Sequence, residues 1–301
     1  MKIKNVILII FGFLLLSCSP KMEIPAYIYV EDVDFYVTDF SEQGTASFKI
    51  PDVWVTVNGK GIGAYKLPAL IPVIASGKTD LIIEAGFKMN GQSDLRPKHP
   101  LFTLYKETVN LTKGKIDTIF PVFTYTDSVK FSREGFEDFE SAGLKFYAVE
   151  KSAKLEKTND PSLLFYYKKD PPNNFSGIIT LPYTDTIYFF EIQTNTHLFF
   201  NSNTVMVCVV ELNHCFDANV EIGMYCYFPP TSSNRTQQIP IANIVGKPSN
   251  TEWNKIYVNL TDEMRNATLK NMTHFDVYMK CGIPKDSSAR FLFDNIKIVY
   301  R

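Results

Sequence analysis

The sequence predicts an all-β protein with two β-sandwich domains in series, the second jelly-roll-like, behind a short apolar leader. Three observations predict it. Aromatic residues are abundant, with 24 Phe and 16 Tyr against 2 Trp in 301 residues, and with Val, Ile and Thr they suit a half-buried pleated surface. The apolar stretches are short, alternate with polar residues, and are interrupted by Pro, Gly and Asn, which is the period-2 pattern of strands and turns. The chain is also longer than one domain of about 100 to 200 residues.

The leader comes first. "MKIKN" carries two lysines, and Val6 to Leu16 form an apolar run ending at Ser17. A spanning helix needs about 20 apolar residues, so residues 1–17 read as a signal peptide and the protein as exported. "LLSC", Leu15 to Cys18, resembles the bacterial lipobox, with an ordinary secretory signal as the alternative. The resemblance implies cleavage before Cys18, lipid attachment to it, and a lipidated tether over residues 18–25. Acyl chains anchor without spanning, at about 0.8 kcal/mol per buried CH₂.

Residues 26–125 form the first predicted domain. "YIYVEDVDFYV", "DVWVTVNGKGIGAYKLP" and "TDLIIEAGFKMNG" supply its strands, and Asn58-Gly59 predicts a tight hairpin because primed turns need positive φ. "LFTLYKETVNLTKGKIDTIFPVFTYTD" adds two strands around Lys113-Gly114. Val55, Val57, Gly59, Gly63, Pro68 and Gly86-Phe87 resemble the pattern of PEGA or carboxypeptidase-regulatory-like domains. That resemblance implies a small sandwich serving as spacer or contact surface.

Residues 126–301 form the second, with about ten β segments and one helix over "DEMRNATLK", capped by Thr261 and carrying Asp262 and Glu263 in its first turn. "GFEDFES" (Gly135 to Ser141), "EWNKIYVNL" (Glu252 to Leu260) and "ARFLFDNIKIVYR" (Ala289 to Arg301) resemble the jelly rolls of carbohydrate-binding modules and galactose-binding-like domains. The resemblance implies that the first and last strands lie side by side. It also implies a structural calcium between them, with Glu137 and Asp294 as nominated ligands; hydrogen bonding of Asp294 to a neighbouring loop is the other reading. Beyond Cys18, the cysteines are Cys208, Cys215, Cys226 and Cys281. They read equally as two disulfides or as buried thiols.

Charge and motifs exclude several classes. With 31 basic and 32 acidic residues, no overall field draws nucleic acid. Gly77-Lys78-Thr79 ends like a phosphate-binding loop, but Pro72 stands where its first glycine would be and a strand follows. Gly59, Gly61 and Gly63 mimic a dinucleotide fingerprint inside a hairpin. His99, His197, His214 and His274 lack metal-ligand spacing, and the carboxylates Glu134, Glu137, Asp138 and Glu140 alternate between faces without defining a catalytic pair. No nucleophile is matched to a base, so no enzyme is expected and no cofactor beyond the calcium.

Two roles remain. The first is a non-catalytic surface lipoprotein, scaffold or accessory subunit of an outer-membrane protein complex. The second is a glycan-binding lipoprotein using Tyr166, Tyr167, Tyr183, Tyr225, Tyr227 and Trp253 as stacking or partner-contact candidates. Asp117-Thr118-Ile119, Asp127-Ser128-Val129 and Asp185-Thr186-Ile187 resemble the O-glycosylation site of exported Bacteroidota proteins. With the lipobox they imply an outer-membrane lipoprotein exposed on the cell surface, with a membrane partner through the lipid anchor.

Overall fold

The computed structural model describes residues 23–182, 184, 187–199, 207–229 and 236–301. The predicted signal peptide, Cys18, Tyr183, and Asp185 and Thr186 of the third triplet lie outside the described residues.

The fold is all-β. In the first sandwich one sheet has the order β4-β3-β6-β7, from β3 (Asp52–Val57), β4 (Lys60–Lys66), β6 (Gly77–Gly86) and β7 (Tyr105–Leu111). The other has the order β5-β1-β8, from β1 (Ala26–Val30), β5 (Ala69–Val73) and β8 (Ile116–Thr118). Strict alternation buries Ala26, Ile28 and Val30 of β1 against Val53, Val55, Leu81 and Ile83. Asn58 and Gly59, at φ of 47° and 75°, turn β3 into β4 as the Asn-Gly pair predicts. Pro72 is tolerated because β5 is an edge strand.

Lys113-Gly114 does not join a hairpin. β7 stays with β6, whereas β8 crosses to pair in parallel with β1. The short pair β2 (Asp34–Phe35) and β9 (Val122–Phe123) is also parallel, and a four-residue helix α1 (Phe40–Gln43) follows β2.

In the second sandwich an inner sheet of order β12-β13-β21-β16-β19 faces an outer sheet of order β11-β14-β20-β17-β18. The inner strands are β12 (Glu156–Thr158), β13 (Ser176–Pro182), β16 (Cys208–Phe216), β19 (Asn254–Asn259) and β21 (Ser288–Tyr300). The outer strands are β11 (Phe146–Ala148), β14 (Phe189–Thr194), β17 (Val220–Tyr227), β18 (Thr236–Ile244) and β20 (His274–Gly282). β10 (Lys130–Phe131) pairs with β21 and β15 (Leu198–Phe199) with β20. The opening segment therefore lies beside the last strand, and Glu137 bridges Ile296. Phe190, Ile192, Met224 and Met279 fill the space against Val210, Leu212, Phe291 and Phe293.

The four cysteines are free and buried, so the structure takes the thiol reading over the disulfide one. Burial pushes the Cys208 and Cys226 thiols up to about 12, where they are unreactive. Helix α2 (Thr261–Leu269) forms with Asp262 and Glu263 in its first turn, but Thr261 is not its cap. Leu260 takes that position, because the Thr261 hydroxyl bonds Asn259 Oδ1 at 2.5 Å and accepts from the Cys208 amide at 3.1 Å, tying the helix start to β16.

The two sandwiches share a core. Val209, Tyr257 and Val299, on the inner sheet's far face, belong to the apolar cluster of the first sandwich. Charges are sealed among them. Glu211, 1% exposed, accepts from Tyr125 Oη at 2.9 Å and lies 3.1 Å from Lys255 Nζ. Lys297 Nζ, equally buried, donates to the backbone carbonyls of Gln43 at 2.7 Å and Thr45 at 3.0 Å, and to Tyr125 Oη at 3.2 Å. Burial alone would raise the Glu211 carboxyl, but the Lys255 and Lys297 ammoniums hold it below the usual range. Burial, helped by Lys255, brings Lys297 down to about 7.

His99 completes this layer, stacked on Phe102 with ring centroids 3.5 Å apart. Burial, assisted by Lys255, holds it down to about 3, against an ordinary value near 6.5. The unfolded chain therefore binds a proton that the native state refuses between those values, so this contribution to stability is complete above about pH 6.5 and is lost as pH falls toward 3. His99→Phe should lose less stability than the parent between pH 7 and pH 4 in urea titrations, the difference rising by at most ~1.4 kcal/mol per pH unit. Equal losses in both proteins would contradict the assignment.

Candidate functional site

With the inner sheet's far face covered by the first sandwich, the outer sheet presents the broad face left open. Its composition follows from strand alternation. In β20, Phe275, Val277, Met279 and Cys281 point into the core, so His274, Asp276, Tyr278 and Lys280 line the opposite face. In β17, Ile222, Met224 and Cys226 point inward and Glu221, Gly223, Tyr225 and Tyr227 outward. Glu191 and Gln193 of β14 and Tyr147 of β11 extend the face through their pairing with β20 and with each other.

The tyrosines are held by carboxylates. Tyr225 Oη donates to Glu191 Oε1 at 2.8 Å, Tyr227 Oη to Asp276 Oδ2 at 2.7 Å, and Tyr278 Oη to Glu221 Oε1 at 2.6 Å. Burial first, then these bonds, push all three phenols up, so each stays a hydroxyl donor with its ring fixed by the bond. The Tyr227 ring stacks on His274 at 4.8 Å and 6°, and His197, whose Nδ1 lies 2.8 Å from Asp276, packs tilted at 53° against the Tyr227 ring at 4.7 Å.

Tyr278 forms the floor. Its ring lies across Gly223 and is covered by Tyr225, with centroids 4.8 Å apart, and by the Lys280 ammonium at 5.2 Å. A β-carbon on Gly223 would come within 2.6 Å of Tyr278 Oη and 2.4 Å of the Ile239 carbonyl oxygen. The glycine is what lets the aromatic ring lie against the strand.

Of the sequence candidates, Tyr225 and Tyr227 fall on this face. Tyr166, 73% exposed, and Tyr167 precede β13, and Trp253 precedes β19, all flanking the inner sheet. Trp253 meets Phe165 edge-on at 5.4 Å, and burial with Asp34 and Asp170 nearby pushes the Tyr167 phenol up to about 12. Sequence reasoning missed Tyr147, Tyr278, His197, His274, Glu191, Glu221 and Asp276. The signal was present, since "HFDVYMKCG" and "VEIGMYCY" alternate through their whole length.

Glu137 and Asp294, the nominated calcium ligands, are engaged by protein donors. Glu137 accepts the amides of Phe139 at 2.8 Å and Lys145 at 2.5 Å, and Asp294 Oδ2 accepts Ser176 Oγ at 2.5 Å and Asn173 Nδ2 at 2.9 Å. Burial raises both carboxyls. Among the described residues no three His, Cys, Asp or Glu side chains converge; these bonds close the 137–145 turn and tie β21 to β13 and the loop before it, while Asp294 Oδ1 keeps no hydrogen-bond partner.

No known family model and no curated protein matches the chain. Solved structures similar to it include the CBM22-2 xylan-binding domain of Paenibacillus barcinonensis Xyn10C, at 12% identity and TM-score 0.38 over 56% of this chain and 99% of that one. The family 11 carbohydrate-binding module from Clostridium thermocellum, in complex with a β-1,3-1,4-mixed-linked tetrasaccharide, has 11% identity and TM-score 0.33 over 56% and 94%. The CBM22-1 and GH10 modules of endo-1,4-β-D-xylanase 10B from Clostridium thermocellum, complexed with xylohexaose, have 9% identity and TM-score 0.36. There the match covers 55% of this chain and 28% of that one.

The Gly223 contact is testable. Gly223→Ala should destabilise by about 1–3 kcal/mol, the cost of overpacking, and should change the near-ultraviolet circular dichroism as Tyr278 is displaced. Unchanged stability and spectrum would contradict the close packing.

Proposed function

We propose that this chain is a non-catalytic glycan-binding protein, held at the bacterial outer membrane through lipid on Cys18, with the open face of the outer sheet as its binding surface. One observation carries the reading: Tyr225, Tyr227 and His274 offer ring surface within a frame of Glu191, Glu221, Asp276, Gln193 and Lys280. A pyranose ring has an apolar C–H face and a rim of hydroxyls. It needs an aromatic platform for the first and fixed donors and acceptors for the second. Anchoring the tyrosines by carboxylates lowers the side-chain ordering that binding would otherwise require.

A different surface favours the accessory-subunit role. The β5-β1-β8 sheet leaves Leu70 and Ile116 half-exposed on its outer side, with Ile24 and Ile74 at its ends. Such an apolar patch suits a protein partner near the tether.

Affinity electrophoresis of the purified protein through gels containing xylan or mixed-linked β-glucan tests the glycan reading. Retardation by at least one polysaccharide is expected, weakened about tenfold or more in Tyr225→Ala and in Tyr227→Ala, as for a central aromatic contact. Equal retardation of parent and variants, or none in any gel, would overturn it.

A further inference from the structure

A cavity of about 220 Å³ lies where the edge strand β19 meets the first sandwich. Lys49, before β3, and Lys88, after β6, reach it from one side, and His214 of β16 and Asn254 of β19 from the other; Val245 and Ile256 add apolar wall. Among the described residues no carboxylate lines it. Lys255 also borders the cavity, but its charge is answered by Glu211 at 3.1 Å. Lys49 and Lys88 are different. Among the described residues neither has a carboxylate within ion-pair reach, and Lys49 Nζ bonds only the neutral Asn254 Oδ1. Lys49 is exposed at the cavity mouth and Lys88 half-buried, and partial desolvation together with the neighbouring Lys88 charge lowers the Lys49 ammonium, so two like charges share one space.

His214 points to the same need. It is 4% exposed, and neither ring nitrogen has a hydrogen-bond partner among the described residues. Its ring rests on Phe216 with centroids 4.5 Å apart. A buried imidazole has one donor and one acceptor to satisfy, and leaving both unpaired is costly. Its two nitrogens are buried as well as unpaired, so a small movement of the ring turns one of them toward the cavity.

We propose that this cavity is an oxyanion-binding site. Lys49 and Lys88 supply the charge, and the His214 imidazole and the Asn254 side-chain amide supply directional hydrogen bonds, for a sulfate, phosphate or carboxylate group. A water occupies about 30 Å³ of liquid volume, so the cavity holds more than a lone oxyanion. It suits one carried on a small organic body such as an acidic sugar. The site is separate from the tyrosine face and stands whether or not that face binds neutral glycan.

Thermal unfolding of the purified protein tests the proposal, with sodium sulfate, sodium phosphate or sodium glucuronate titrated against chloride at matched ionic strength. Binding to the native state alone gives a saturable rise in Tm, expected here to reach a few degrees. Lys49→Gln and Lys88→Gln each relieve the repulsion between the two ammoniums, so they should hold or raise the parent Tm in chloride while weakening the oxyanion at least tenfold. A stronger response to glucuronate supports an organic ligand, and a stronger response to sulfate or phosphate supports the free ion. A rise that does not saturate and is equal in parent and variants would reflect exclusion of the salt from the whole surface, and would overturn the site, as would no rise at all.

Discussion

A carboxylate inside a protein must be matched by positive charge and hydrogen-bond donors, and the structure depends on how this is done for Glu211. Its side chain rises from the far face of the inner sheet into the first sandwich, where Tyr125 and Lys255 meet it and Lys297 lies close by. Removing one partner of a sealed ion pair typically costs about 3–5 kcal/mol, because the other charge remains buried. The same charges would be hydrated and harmless if the sandwiches separated. The ion cluster therefore makes docking specific more than it makes it strong, while Val209, Tyr257 and Val299 supply the apolar attraction.

That docking decides which surface is available for ligands. The second sandwich has two broad sheet faces outside its core, and the first sandwich consumes one of them. Both faces are rich in tyrosine and charge, but they resolve these differently. On the covered face Tyr257 is buried beside the ions, and Tyr125 of the first sandwich closes over them. On the open face Tyr225 and Tyr227 are tied to carboxylates yet keep ring surface exposed to solvent. Hydroxyls locked as donors to carboxylates, with phenols raised by burial, make a rigid contact surface and supply no activated nucleophile.

Local pattern made much of this legible. The Asn58-Gly59 hairpin, the β-rich alternation, the helix at residues 261–269 and the pairing of the opening segment with the last strand all follow from short-range chemistry or from the resemblance of the chain ends. What could not be read depends on distance along the chain. Parallel pairing of β8 with β1 is invisible to alternation, which fixes a strand's faces and not its neighbours. Nothing local to Glu211 and Lys297 announces that the first sandwich will cover them. Residue type alone takes in Tyr166 and Trp253, which lie off the open face. The outward positions of "HFDVYMKCG" were better indicators, since a strand with four core residues commits the alternate four to one face.

Two sandwiches closed over the Glu211 cluster should unfold as one body, and differential scanning calorimetry of the purified protein addresses this most directly. A single endotherm is expected near neutral pH with equal calorimetric and van't Hoff enthalpies, the signature of all-or-none unfolding. Two resolved transitions, each matching one sandwich, would contradict it.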